Sequence, residues 1–203
     1  MSSQRRQQVG VFGGAFDPPH LAHRALAMAA LAQLELDQLR VVPTGQAWHK
    51  ARALTENGQR LAMVELNFGD LPRTVVDRRE LDRAGPSYTV DTLREIRAEF
   101  PDSDLFLLMG EDQARVLTTW HEWPELTRLA IICVAARIDL SEVDTDFQPP
   151  AGFEARFQTL QMSPIALSAT QIRGCVATHQ GIAPLVFEPV ARYIDHHHLY
   201  QDA

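Results

Sequence analysis

Two histidines three residues apart, His20 and His23, follow a pair of glycines inside the run Val9-Gly10-Val11-Phe12-Gly13-Gly14-Ala15-Phe16-Asp17-Pro18-Pro19-His20-Leu21-Ala22-His23. The apolar start of this run is too short for anything but a strand. The stretch after His20 is rich in alanine and leucine at helical spacing, so the segment reads as strand, turn, helix. Adjacent glycines let backbone approach a ligand closely, and the first N–H groups of a helix have no partner inside it, so the turn suits a phosphate group. Histidines at i and i+3 share the first exposed turn of the helix beside those donors. With near-neutral pKa values they can be charged when a polyphosphate binds. The competing readings are a helix-capping or solvent-facing pair. A zinc site is the weaker alternative, because the pair has no clear acidic or third histidine partner.

The elements that must hold these groups follow from size, composition and periodicity. At 203 residues the chain fits one α/β domain, 1–203, with 163–203 as its C-terminal helical portion. Hydrophobic residues make up 45% and charged residues 22%, the composition of a folded soluble protein. A net charge of -7 argues against a polynucleotide partner but leaves room for a local basic cluster. The two cysteines, Cys133 and Cys175, point to a reducing compartment, with Cys133 a buried free thiol in Ile131-Ile132-Cys133-Val134. The N-terminus has no signal-like apolar core and no run is long enough to span a bilayer, so the expectation is a cytoplasmic protein, monomeric or homo-oligomeric.

Leu21, Ala25, Met28, Ala29, Ala32 and Leu36 predict an apolar helical face before a strand at Leu39-Arg40-Val41-Val42. Residues 43–56 read as a loop, and a loop leaving the second strand of a doubly wound sheet lies beside the first. Leu61, Val64 and Phe68 form the next helical face, followed by a short strand around Thr74-Val75-Val76. Val90, Leu93, Ile96 and Phe100 form another, capped by Ser87 or Thr89. Asp104 through Met109 is the clearest buried strand and ends at Gly110-Glu111-Asp112. A partly helical stretch over 117–129 precedes a strand over 130–134, and 138–153 reads as a surface excursion. A last strand over 157–162 leads to a helix from Ser168 and a terminal one near Pro189 that turns Val190, Tyr193 and Ile194 inward. His196, His197 and His198 suit the C-terminal end of that helix better than a metal site.

Six segments, in this order, resemble the bacterial nicotinate-nucleotide adenylyltransferases of the larger nucleotidyltransferase group with an HxGH-like histidine pair. They are Gly13 through His23, Pro43 through His49-Lys50, Pro86-Ser87-Tyr88-Thr89-Val90-Asp91-Thr92-Leu93, Gly110-Glu111-Asp112 through Trp120, Leu167-Ser168-Ala169-Thr170-Gln171-Ile172-Arg173, and Tyr193-Ile194 through Leu199-Tyr200. The chain departs from that pattern at Ala15, where threonine or serine is usual, at Ala22 for glycine, at Trp48 for proline, and at Arg137-Ile138-Asp139 for an arginine-proline-glycine turn.

The resemblance implies a Rossmann-like nucleotidyltransferase fold with a mostly parallel central sheet and a small C-terminal helical part. It implies attack by the phosphate of nicotinate mononucleotide on the α-phosphorus of ATP, giving nicotinate adenine dinucleotide and pyrophosphate, with Mg2+ held through phosphate oxygens rather than protein ligands. His20, His23 and Arg173 are then the catalytic residues, with Arg173 on the β- and γ-phosphates. Gly13, Gly14, Ala15, Phe16, Lys50, Gly110, Asp112, Ser168 and Thr170 bind ATP, Asp112 at a ribose hydroxyl. Tyr88, Thr89, Trp120 and Arg137 bind the pyridine nucleotide, with Trp120 as the ring platform. Against these stand helix capping by Asp112, Ser168 or Thr170, a solvated Lys50, and a purely structural Trp120. Adenylyl transfer to nicotinamide mononucleotide or pantetheine phosphate, and nucleotide binding without catalysis, also fit the shared phosphate-binding elements.

Overall fold

Strand β1 (Gln8–Gly14) is buried continuously from Val9 to Phe12, as a strand covered on both faces must be. A computed structural model describes residues 5–46, 53–139, 142–144, 147–163 and 165–201. After β1 come α1 (Leu21–Gln33), β2 (Gln38–Pro43), α2 (Asn57–Phe68), β3 (Thr74–Val76), α3 (Arg79–Asp82), α4 (Thr89–Glu99) and β4 (Asp104–Gly110). They are followed by α5 (Glu111–Arg115), α6 (Trp123–Leu129), β5 (Ile131–Asp139), β6 (Glu142–Asp144), β7 (Phe157–Met162), α7 (Ala169–Ala177) and α8 (Glu188–His196). The sheet runs β3-β2-β1-β4-β5, with β7 parallel to β5 and β6 folded back antiparallel on its end. The other pairings are parallel. Strand order reverses between β1 and β4, and the loops leaving their carboxyl ends therefore flank one crevice.

Alternation along β1 distributes the core between two faces. Phe12 joins Leu26, Ala30 and Leu31 of α1 and Val64 and Phe68 of α2, whereas Val9 and Val11 join Val90, Leu93 and Ile96 of α4 and Leu126 of α6. A third cluster packs Ile172 of α7 and Val190 and Ile194 of α8, with Val186 and Tyr200, against Met63 of α2. The C-terminal helices are thereby fixed to α2, the helix that also supports the loop after β2.

Several sequence expectations are corrected. The buried residues of α1 are Leu26, Ala27, Ala30 and Leu31, while Met28 is 52% exposed and Ala32 is exposed. Alanine and leucine occur nearly all round this helix, so the sequence does not define its phase, and docking against the sheet does. In α2 the buried stripe includes Arg60 and Asn67, while Leu61 is only partly covered. The N-cap of α4 is Tyr88, without a side-chain capping bond. Ser87 instead closes a backbone bridge: its N–H donates to the Gln46 carbonyl at 3.1 Å, and its Oγ accepts the Gln46 N–H at 3.2 Å. The stretch 138–153 contains the end of β5 and all of β6, because Arg137 pairs with both Asp144 and Met162 and a third strand extends the sheet there. Tyr193 is only partly covered, since its hydroxyl reaches out to Gln59 Oε1 at 2.7 Å.

Glycines at two positions carry opposite consequences. A Cβ on Gly45 would lie 2.0 Å from the Glu80 carbonyl oxygen, a backbone contact that cannot rotate away. A Cβ on Gly174, in the exposed interior of α7, would meet nothing within 4 Å. Gly45→Ala should destabilise the protein by about 1–3 kcal/mol, and Gly174→Ala should stabilise it by about 0.5–1 kcal/mol. Urea denaturation midpoints check both signs.

Candidate active site

The turn leaving β1 is held from below by an aromatic anchor. Phe16 adopts a left-handed backbone conformation (φ 46°) and is 2% exposed, with its ring edge-on to Phe12 at 5.4 Å, Phe68 at 5.5 Å and His23 at 5.1 Å. A Cβ on Gly14 would lie 3.0 Å from the Phe16 ring, so glycine is what lets the chain double back over it. Gly13 has open space around it.

His20 is the N-cap of α1 and only 6% exposed, so the pair does not sit in an exposed turn as the spacing suggests. Its backbone N–H donates to His23 Nδ1 at 3.2 Å, and the two rings stack 3.7 Å apart. A backbone N–H can only donate, so His23 Nδ1 is an acceptor and its proton is on Nε2. Burial lowers the His20 pKa to about 4, while the charge of Asp112 acts in the opposite direction. The near-neutral value expected for His20 is therefore corrected: in this fold it is a neutral imidazole at pH 7. Its Nδ1 is buried without a hydrogen-bond partner among the described residues.

Asp112, on the β4 side of the crevice, lies in α5, whose N-cap is Gly110. A Cβ on Gly110 would come within 2.7 Å of Asp112 Oδ1, so the glycine makes room for this carboxylate. Asp112 accepts from Gln113 Nε2 at 2.9 Å and does not cap the helix.

Arg173 lies within α7 rather than among the free N–H groups at its start. Its Nη1 donates to the Asp17 carbonyl at 2.7 Å and its Nη2 to Thr170 Oγ1 at 3.1 Å, which brings a cation to the turn after β1. Ser168 is the N-cap of α7, its Oγ accepting the Gln171 N–H at 3.2 Å.

On the other face of the sheet, Tyr88 and Trp120 both pack, partly covered, against the cluster of Val90, Leu93 and Leu126. Tyr88 stacks on His121 with ring centroids 4.3 Å apart, and Thr89 opens α4. Arg137 occupies β5 two residues past Ala135, the partner of Gly110 in the neighbouring strand. Lys50, with Trp48 and His49, lies outside the described residues.

Four residues missed in the sequence tie this site together. Asp17, 3% exposed, accepts the Tyr200 hydroxyl on Oδ1 at 2.7 Å and the Thr55 N–H on Oδ2 at 3.3 Å. Burial, then the charge of Asp17, raises the Tyr200 pKa well above the ordinary phenol range. Arg60, fully buried, donates to the carbonyls of Thr55 and Ala15, each at 2.9 Å, and to Asn57 Oδ1 at 2.6 Å. A readable signal existed for Arg60: it shares the i, i+4, i+8 stripe of Val64 and Phe68, where a charge is out of place unless it is bonded.

Residues 11–174 match the cytidylyltransferase-like family. Over 97% of its length the chain is 57% identical to the whole of a probable nicotinate-nucleotide adenylyltransferase from Albidiferax ferrireducens. The chain belongs to the nicotinate-nucleotide adenylyltransferase family. It is also 42% identical to a probable nicotinate-nucleotide adenylyltransferase from Methylibium petroleiphilum, across 98% of this chain and 95% of that one. In fold it is similar to Plasmodium falciparum nicotinic acid mononucleotide adenylyltransferase complexed with NaAD, with a TM-score of 0.77, 16% identity, and coverage of 97% and 98% of the two chains. The family's Rossmann-like sheet with flanking helices is the fold described above.

The buried histidine sets a pH dependence. A His20 pKa near 4 in the fold, against about 6.5 when unfolded, means that the unfolded chain binds the extra proton between these values. Stability from this group is complete above pH 6.5 and is lost as pH falls toward 4, by about 3 kcal/mol in total. His20→Gln should remove that component, which urea titrations at pH 7 and pH 4.5 on both proteins will measure.

Proposed function

We propose that the protein transfers the adenylyl group of ATP to nicotinate mononucleotide, forming nicotinate adenine dinucleotide and pyrophosphate in NAD biosynthesis. The acceptor phosphate oxygen attacks the α-phosphorus, the bond to the β-phosphate breaks, and pyrophosphate leaves with the electron pair. The observation that carries this reading is the convergence of His20, His23 and Arg173 on one turn at the sheet's reversal point, with Arg173 hydrogen-bonded to Asp17 across the chain. The choice of acceptor is supported by full-length similarity to proteins named for that activity.

Both substrates are anionic, so catalysis is a matter of positioning and charge rather than a covalent nucleophile. Orientation alone can supply roughly 7 kcal/mol or more. In the proposed roles, His23 offers its Nε2–H to phosphate, and an incoming polyphosphate supplies the negative charge that favours protonation of buried His20. Arg173 stabilises the leaving β- and γ-phosphates, with Thr170 orienting its guanidinium and Ser168 holding the helix start. Gly13, Gly14, Ala15 and Phe16 present backbone, and Lys50 is assigned to the same phosphates. Gly110 and Asp112 receive the ribose, while Tyr88, Thr89, Trp120 and Arg137 hold the pyridine nucleotide.

Among the described residues no three His, Cys, Asp or Glu side chains are grouped to hold a metal ion. In the proposed reaction Mg2+ would be carried by phosphate oxygens and water, where it would neutralise charge on the leaving group. Among the described residues no helix is long and apolar enough to cross a membrane. Cys133 is buried and free, with its thiol pKa pushed up to about 12 by burial.

The deciding measurement is pyrophosphate release with ATP, Mg2+ and each of three acceptors. The highest kcat/KM is expected for nicotinate mononucleotide, above nicotinamide mononucleotide and pantetheine phosphate. Turnover with none of them, despite ATP binding, would assign a noncatalytic role. His23→Ala should lower kcat by about 100-fold in a protein that still folds, and equal turnover in this variant would remove His23 from the reaction.

A further inference from the structure

Arg60 is an expensive residue at its position. It occupies the apolar stripe of α2 with Val64 and Phe68 and is 0% exposed, where an aliphatic side chain would bury more apolar area without desolvating a charge. Burial pulls its pKa down and the nearby charge of Asp17 acts against that, but the guanidinium makes no direct ion pair in the described residues. Its charge is stabilised instead by oxygens from two separate loops and from the first residue of α2. Nε donates to Thr55 O at 2.9 Å, Nη1 to Ala15 O at 2.9 Å, and Nη2 to Asn57 Oδ1 at 2.6 Å, with Gly45 O at 3.5 Å. A planar fork with five N–H groups can serve acceptors in these directions at once, whereas a lysine has a single nitrogen.

The bond to Ala15 O has a geometric consequence. The peptide that follows Ala15 is planar, and in a trans peptide the C=O and the next N–H point in opposite directions. No cis bond occurs between Ala15 and Phe16. With Ala15 O held toward α2 and the loop after β2, the Phe16 N–H is turned away from the Arg60 guanidinium. The same guanidinium grips Thr55, whose N–H donates to Asp17 Oδ2, so both ends of the turn over residues 15–17 are tied to one buried group.

We propose that Arg60 is a positioning residue for adenylyl transfer: it locks the peptide between Ala15 and Phe16 so that the Phe16 N–H is presented to the nucleotide phosphates. The inference rests on the reading above that this turn receives those phosphates. Arg60 touches no substrate and acts through the backbone it orients.

The test compares Arg60→Lys with the wild type and with Ile96→Val, a core variant of α4 on the other face of the sheet from Phe16. Calorimetry with Mg2+ and α,β-methylene-ATP reads nucleotide affinity, and steady-state kinetics separate kcat from the KM of the pyridine nucleotide. Arg60→Lys should bind the analogue about tenfold more weakly and lose about tenfold in kcat beyond any loss in Ile96→Val, with the pyridine-nucleotide KM within about twofold of wild type. Analogue affinity within twofold of wild type, or losses no larger than those of Ile96→Val, overturns the proposal. Arg60→Gln provides the same comparison if the lysine variant does not fold, and failure of both to fold assigns Arg60 to the fold alone and overturns it. A wild type that binds the analogue but adenylylates no acceptor defeats the proposed function while the affinity comparison still decides Arg60. A wild type that does not bind the analogue defeats both.

Discussion

The carboxylate of Asp17 and the main chain beside it form the junction on which the site depends. One oxygen takes the Tyr200 hydroxyl, the other takes the Thr55 N–H, and the carbonyl of the same residue takes Arg173. Each partner comes from a different part of the chain: the loop after β2, α7, and the segment beyond α8. Hydrogen bonds to a buried carboxylate are among the stronger ones in proteins, and removing the Tyr200 hydroxyl would take a donor away from a buried charge. The turn after β1 is therefore not stiff in itself. Its shape is imposed by groups converging from outside it.

Charge is distributed around this junction in a way that net composition conceals. The whole chain is acidic, yet the crevice gathers Arg60 and Arg173 within bonding distance of one short turn. The two cations are treated differently. Arg60 is wholly enclosed and its donors go to main-chain and amide oxygens, so it is part of the framework. Arg173 is only partly covered and engages the turn through one nitrogen and Thr170 through another. Between them His20 is kept uncharged by burial, beside Asp112 across the crevice.

Much of the architecture could be read in the residues. The glycine pair, the short apolar runs and their spacing indicate β1, its turn and α1, and the buried runs of β4 and β5 are evident because fully covered strands leave no polar face. The phase of α1 could not be read, since its alanines and leucines give little contrast between faces. Tyr88 as the cap of α4 was likewise hidden, because capping preference points to the hydroxyls on either side and the bridge to Gln46 is a long-range contact. In the site, His20 and Asp112 were legible as residue types at strand ends, but the burial that keeps His20 neutral is a tertiary property. Arg60 was overlooked because a lone arginine near a helix start looks solvated. Its place in the Val64 and Phe68 stripe was the available clue. Tyr200 sat within a recognised element, but nothing local tells that its hydroxyl ends on Asp17.

That last contact spans 183 residues of sequence, and the one from Arg173 to the same residue spans 156. Contacts of such separation form late, since the entropy of closing the intervening chain must be overcome before they contribute. During synthesis the glycine turn leaves the ribosome near the beginning, yet two of its restraints do not exist until residues 173 and 200 have emerged. A nascent chain that has completed β1 through β5 would hold most of the sheet with the turn after β1 still lacking these two restraints. The final shape of the turn is in this sense conferred on an early stretch of the chain by later ones.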